Sequence, residues 1–511
     1  MVCQKRLGLA NAKTPRINRS FVHNLTSFLV KMLRRVFNSL VETTFQAQAE
    51  TVIYPNPFTK PETIPFGWLS TVAPCFPVNS NNISILSEPQ QFYNVIKEGC
   101  AGAKRRIFLV SLYLGTGDLE KNLVKTLLNN EYFKGGELRV NVLIDYMRGS
   151  RFEYNSRNVL QPLLRASSNN CQVSLYHTPV LRGVMKKITP NRWNELCGLQ
   201  HMKLYVFDDT LVISGANLSN DYFTNRQDRY FVIKDKRLCD FYCGLARRVQ
   251  KFSLKMDENN NVGLCEDWEQ LPYEGSKNGF IERAGDIVED YLLETKDERN
   301  IHKEEGFDTW IYPLVQMGQL GIHQDSQATD RILAEAPKNS TLCVATGYFN
   351  LTNQYMSTLI NQTEASCKIL MAHPEANGFL GAKGPAGGIP FAYSLIARKF
   401  QKEFEKSRQG SRISLMEYLR DAWTYHGKGL WYYPSNGDHP CLTLIGSPNF
   451  GERSVKRDLE TQLAIVSENP EFRKRLHEEC KKLYGFGKPA ETERGVPKWV
   501  YAFVFLFRNY F

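Results

Sequence analysis

The chain has 511 residues, 42% of them apolar and 23% charged, with 12 cysteines and a formal charge of +11. That length suits two to four domains or one large duplicated one, and the balance excludes disordered, collagen-like and disulfide-framework proteins. No run reaches the roughly 18 apolar residues that span a bilayer, which excludes a polytopic membrane enzyme.

The chain opens on a basic leader. Residues 1–41 hold Lys5, Arg6, Lys13, Arg16, Arg19, Lys31, Arg34 and Arg35 but no acid; Glu42 is the first. The rest carries 56 basic and 53 acidic side chains, so the body stands at +3 and no nucleic-acid partner is expected. Phe21, Leu25, Phe28, Leu29, Met32 and Val36 recur three or four apart among the cations. A basic, acid-free, amphipathic segment predicts a mitochondrial presequence over 1–48. The cysteines agree with a reducing compartment: the closest pair is Cys239 and Cys243, and no C-x-x-C spacing offers a zinc site.

Next comes a repeat. Residues 87–114 and 322–349 each predict an amphipathic helix, a polar turn and an apolar strand. A helix follows each, at about 118–130 and 352–362. Strands follow at 138–146 and 367–373, then at 173–178 and 413–418. Alternating strands and helices, duplicated, predict an α/β fold of two pseudo-symmetric lobes packed face to face. Lobe 1 is expected over 49–255 and lobe 2 over 309–490, with a charged linker or solvated helix at 256–308. An aromatic tail occupies 491–511; its apolar core, Trp499 to Phe507, is too short to span and reads either as interfacial or as packed on lobe 2.

Each copy then reaches a His-x-Lys. The first is His201-Met-Lys203 with Asp208 five residues on, then a Gly/Ser turn ending at Asn217. The second is His426-Gly-Lys428, then a turn ending at Asn449. In a strand, residues two apart share a face. Two copies about a two-fold would converge two imidazoles, two ammoniums and two amides on one anion. That set suits phosphoryl transfer without a metal or cofactor: cations and amides neutralise the oxygens, one imidazole attacks, and the other moves protons. Asp228 and Glu460, each eleven residues after its Asn, are placed to orient a His ring. The sequence is symmetric as to which imidazole attacks.

This pattern resembles the phospholipase D superfamily, whose mark is a duplicated H-x-K-x4-D followed by a G/S-x-N turn; the resemblance covers about 80–485. It implies two α/β lobes, one shared site and a phosphohistidine intermediate. The second copy departs from it: Tyr433 stands where the first has Asp208, and seven more residues separate His426 from Asn449 than His201 from Asn217. Within the superfamily, SLYLGTGDLE at 111–120, HMKLYVFDD, HGKGLW and the basic leader are most similar to the eukaryotic, yeast-type phosphatidylglycerophosphate synthase branch. That likeness implies CDP-diacylglycerol as donor and glycerol 3-phosphate as acceptor. It also implies peripheral contact with the mitochondrial inner membrane on the matrix side. His201 would be the nucleophile, and His426 the acid and then the base. Lys203 and Lys428, with Asn217 and Asn449, would hold phosphate. Water in the second step would instead make the same chemistry a phospholipase D-type hydrolase, acting on lipid or nucleic acid.

Overall fold

The central strands read as unbroken apolar runs, IFLV at 107–110 and LCVAT at 342–346, the pattern of strands covered on both faces. A computed structural model describes residues 56–183, 186, 194–299, 306–382, 384–435 and 437–508; the leader expected at 1–48 lies outside them. The two runs become Arg106–Val110 and Thr341–Thr346, each inside its own mixed sheet.

The two sheets match strand for strand. The first runs Ile83–Leu86, Tyr230–Lys234, Thr210–Ser214, Leu204–Phe207, Arg106–Val110, Arg139–Asp145, Cys171–Tyr176, Leu254–Met256. The second runs Thr309–Met317, Leu459–Ser467, Leu442–Gly446, Gly429–Tyr433, Thr341–Thr346, Ser366–Ala372, Ile413–Tyr418, Gly487–Pro489. In each, three neighbours are parallel and are crossed by helices; the other adjacent pairs in this order are antiparallel. Helices Lys236–Lys251 and Pro470–Tyr484 contribute Phe241, Leu245, Phe472 and Leu476 to one core shared with the inner faces of both sheets. Cys239 and Cys243, the pair closest in sequence, are both free thiols.

Two segments depart from the boundaries expected from sequence. Strand Phe76–Val78, early in the span assigned to lobe 1, pairs with Thr309–Met317 at the edge of the second sheet. Phe58, Phe66 and Leu69 pack in that lobe's core too. Thr309–Met317 is buried along its whole length, so its open edge needs a partner. The charged segment at 256–308 contains helix Lys277–Arg299, whose Phe280, Ala284, Val288 and Leu292 recur every four residues and are buried in the shared core. Tyr291 Oη also donates to the Phe241 carbonyl at 2.7 Å. The helix is solvated on one side and docked on the other.

Candidate active site

Each His-x-Lys sits just before the strand beside a central one: His201 and Lys203 precede Leu204–Phe207, and His426 and Lys428 precede Gly429–Tyr433. The backbone then crosses between copies. The His426 N–H donates to the Gln227 carbonyl at 2.8 Å, and the His201 N–H donates to the Leu459 carbonyl at 2.9 Å. Gln227 and Leu459 each immediately precede a carboxylate, so each imidazole lands beside the carboxylate of the other copy. His201 Nδ1 lies 2.9 Å from Glu460 Oε1, and His426 Nδ1 lies 2.7 Å from Asp228 Oδ2. Gly215, in the first Gly/Ser turn, makes room for this approach: a Cβ there would sit 2.8 Å from both Asp228 carboxylate oxygens and 2.9 Å from Lys428 Cδ.

All six of these side chains are buried. Burial first, then Lys203, pushes His201 well below the ordinary histidine range; burial and Lys428 do the same to His426. Both rings are therefore neutral at pH 7. A carboxylate accepting at Nδ1 fixes the proton there and leaves Nε2 as a lone-pair donor. Burial pushes Asp228 up to about 6 and raises Glu460, against the pull of the lysines. Burial lowers Lys428 to about 8 and Lys203 well below its usual value. Lys203 Nζ donates to the His201 carbonyl at 2.6 Å, while Lys428 Nζ lies 2.9 and 3.1 Å from the His426 ring nitrogens.

The two asparagines differ in their bonding. Asn217 Oδ1 accepts from the Leu112 N–H at 3.3 Å and Ser111 Oγ at 3.4 Å. Asn449 Oδ1 is buried with no hydrogen-bond partner, and Asn449 lines a cavity of about 310 Å³ together with Ser454, Arg453, Tyr348 and Phe379. Ser454 Oγ links that wall to the site by donating to Glu460 Oε1 at 2.8 Å.

Asp208 is not brought to the histidines. It follows the far end of Leu204–Phe207, where its carboxylate accepts from the Lys104, Arg105 and Arg106 N–H groups at 2.9, 2.8 and 3.1 Å. These bonds hold it below the usual carboxylate range against the opposing effect of partial burial, and it ties a turn at the end of the strand away from the histidines. Tyr433 sits at the same far end in the second copy, with its Oη 3.1 Å from His477 Nδ1, so the lost Asp removes nothing from the site. Asp208 has a φ of +53°, which Asn also tolerates. We expect Asp208→Asn to lower stability by about 1–3 kcal/mol through its lost charged acceptor while turnover per folded molecule is unchanged. Denaturant unfolding and active-site titration check both.

Several groups escaped sequence reasoning. Tyr222 Oη lies 3.3 Å from His426 Nε2, and the Tyr222 and Tyr348 rings meet the imidazole edge-on at 5.1 and 5.3 Å. Arg226 pairs with Asp221 at 3.1 Å, and Arg453 with Asp458 at 2.8 Å. These are ion pairs of reversed sign at one spacing, and only the alignment of Asp228 with Glu460 would have revealed them. Among the described residues, His201, Asp458 and Glu460 have ligand-type atoms within 4.8 Å of one another and are the group that could hold a metal. Asp458 is engaged by Arg453 and the Leu199 N–H, and Glu460 Oε1 by His201 and Ser454, while Glu460 Oε2 is buried without a hydrogen-bond partner.

If the carboxylates orient the rings, Asp228→Asn and Glu460→Gln lower kcat by about 10²-fold with little change in KM, the scale of lost acid–base assistance. Asp228→Asn should also erase the acid limb of the pH profile near 6. A KM effect alone would show a merely structural role.

No family model matches the chain. A solved structure, the phosphatidylserine synthase of Haemophilus influenzae Rd KW20, superposes with a TM-score of 0.64 at 19% identity, covering 88% of this chain and 97% of that one. The fold is thus that of a two-lobe phospholipase D-like protein. The chain is 41% identical over 489 residues to the mitochondrial CDP-diacylglycerol–glycerol-3-phosphate 3-phosphatidyltransferase of Gallus gallus, covering 87% of this chain and 86% of the relative. It is 32% identical over 444 residues to the protein of that name from Saccharomyces cerevisiae, covering 82% and 85%. The chain belongs to the CDP-diacylglycerol–glycerol-3-phosphate 3-phosphatidyltransferase family.

Proposed function

We propose that this enzyme transfers the phosphatidyl group of CDP-diacylglycerol to glycerol 3-phosphate, giving phosphatidylglycerophosphate and CMP. One observation carries the mechanism: two neutral histidines, each held at Nδ1 by the other lobe's carboxylate, share one buried cluster with two lysines. His201 Nε2 attacks the phosphatidyl phosphorus, and the P–O bond to CMP breaks. His426, whose proton affinity the bound pyrophosphate restores, gives its proton to the departing CMP. It then takes the proton of the acceptor hydroxyl, whose oxygen attacks phosphorus and breaks the P–N bond. Lys203, Lys428, Asn217 and Asn449 hold the phosphate oxygens. Assigning attack to His201 is supported by the asymmetry at His426, whose Nε2 already faces Tyr222 Oη and Lys428 Nζ.

The relatives' names and the acid-free leader support a mitochondrial setting, which we place at the inner membrane, matrix side, with peripheral lipid contact and no nucleic-acid partner. The assay is labelled CDP-diacylglycerol with and without glycerol 3-phosphate. Phosphatidylglycerophosphate should form only with the acceptor. Without it, labelled CMP should exchange into CDP-diacylglycerol, as a covalent intermediate requires. Phosphatidic acid accumulating equally in both cases would show a hydrolase instead.

A further inference from the structure

The aromatic tail resolves into helix Lys498–Phe507, KWVYAFVFLF. Val500 and Val504, four apart, are buried in the second lobe's core alongside helix Ile389–Lys406. Its other side is open: Phe505 is 85% exposed, Leu506 63%, Trp499 49% and Tyr501 44%. A helix lying between protein and water carries polar residues on its outer face. This one is apolar on both, Lys498 apart.

The outer face abuts a wall of the cavity beside the site. Trp499 packs on Gly388, where a Cβ would lie 2.1 Å from the indole. Ile389, the next residue, lines the cavity that ends on Asn449; so does Phe379, whose neighbour Leu380 is 53% exposed. At about 310 Å³ the cavity admits a headgroup, not two acyl chains. No helix among the described residues is long and apolar enough to cross a membrane.

We propose that the Trp499, Tyr501, Phe505 and Leu506 face docks into the interfacial layer of a phospholipid bilayer and sets the cavity mouth at that surface. The acyl chains then stay in lipid while the headgroup enters. This rests on the phosphatidyl-transfer reading. The chemistry fits: Trp and Tyr rings favour the headgroup layer, and a helix with an apolar outer face lies in that plane without crossing.

The test uses the full chain: flotation is read on pure phosphatidylcholine vesicles, whose surface carries no net charge to attract the basic leader, and activity on the same vesicles carrying CDP-diacylglycerol. The Phe505→Glu/Leu506→Glu double variant should partition onto vesicles at least tenfold less in flotation. Its activity on vesicle CDP-diacylglycerol should fall in step. Its activity on a short-chain, monomeric CDP-diacylglycerol should stay unchanged, which also reports an intact fold. Phe505→Trp should float like the parent. Equal flotation of the double variant overturns the inference, as does a loss accompanied by dissociation of an oligomer, which would make the face an interface between copies. If the parent floats through this face but consumes neither substrate, the docking surface stands and the phosphatidyl-transfer reading falls. If it consumes both and floats independently of the face, the reverse holds.

Discussion

His201→Ala and His426→Ala should each lower steady-state CMP release from CDP-diacylglycerol by about 10³-fold or more, since both nucleophilic and acid–base steps are lost in a double displacement. The two variants should fail differently. CMP leaves through a phosphate oxygen that is only weakly basic, with a second pKa near 6, so its departure needs little help. The acceptor hydroxyl, by contrast, must lose a proton to attack. His426→Ala should therefore still release CMP in a single-turnover burst and accumulate the covalent intermediate, whereas His201→Ala should show no burst. The neighbours make this contrast readable: His426 stays beside Asp228, Lys428 and Tyr222, and His201 beside Glu460, so neither truncation leaves the other ring unheld. More than a tenth of the parent activity in either variant would refute a shared site. A burst in both would refute His201 as nucleophile.

The second large effect concerns the cations. Lys203→Ala and Lys428→Ala should each cost about 10²–10³ in kcat, the scale of removing one preorganised donor from a developing oxyanion. The surroundings are buried, so water cannot replace the lost charge. The pH profile follows from the same groups. Asp228, raised to about 6 by burial, is charged only above that value; Lys428, lowered to about 8 by burial, is charged only below it. Both charges coexist between the two, so kcat/KM should be bell-shaped with limbs near 6 and 8. Bound phosphate stabilises the ammonium, so the basic limb of kcat should lie higher than that of kcat/KM. A profile flat from about pH 5 to 9 would exclude both residues from the rate-determining chemistry.

The outcome divides along a physical line. Features encoded by local spacing could be read directly. The strand runs at 107–110 and 342–346, the His-x-Lys pairs and the acidic residues eleven past each Asn are patterns within a few residues of one another. Their repetition announced two α/β lobes with matching strand order, and the sheets follow it. The likeness to phospholipase D-type enzymes also rested on such local motifs.

Other features depend on which distant segments meet. Local pattern could nominate Asp228 and Glu460 but not say which ring each holds. That was decided by two backbone hydrogen bonds, His426 to Gln227 and His201 to Leu459, which join residues about two hundred or more positions apart. The same limit hid the role of Asp208. A motif written as one string suggests one site, yet a strand places His201 and Asp208 at opposite ends, where Asp208 ties the turn before Arg106–Val110. Charge density made 256–308 look like a linker because a four-residue apolar stripe is diluted by the ions around it; only a docking partner, the core between the sheets, gives Phe280, Ala284, Val288 and Leu292 their meaning. Side-chain periodicity therefore settles what each segment is. Chain topology settles what each segment touches, and in this enzyme both imidazoles take their orienting charge from the opposite lobe.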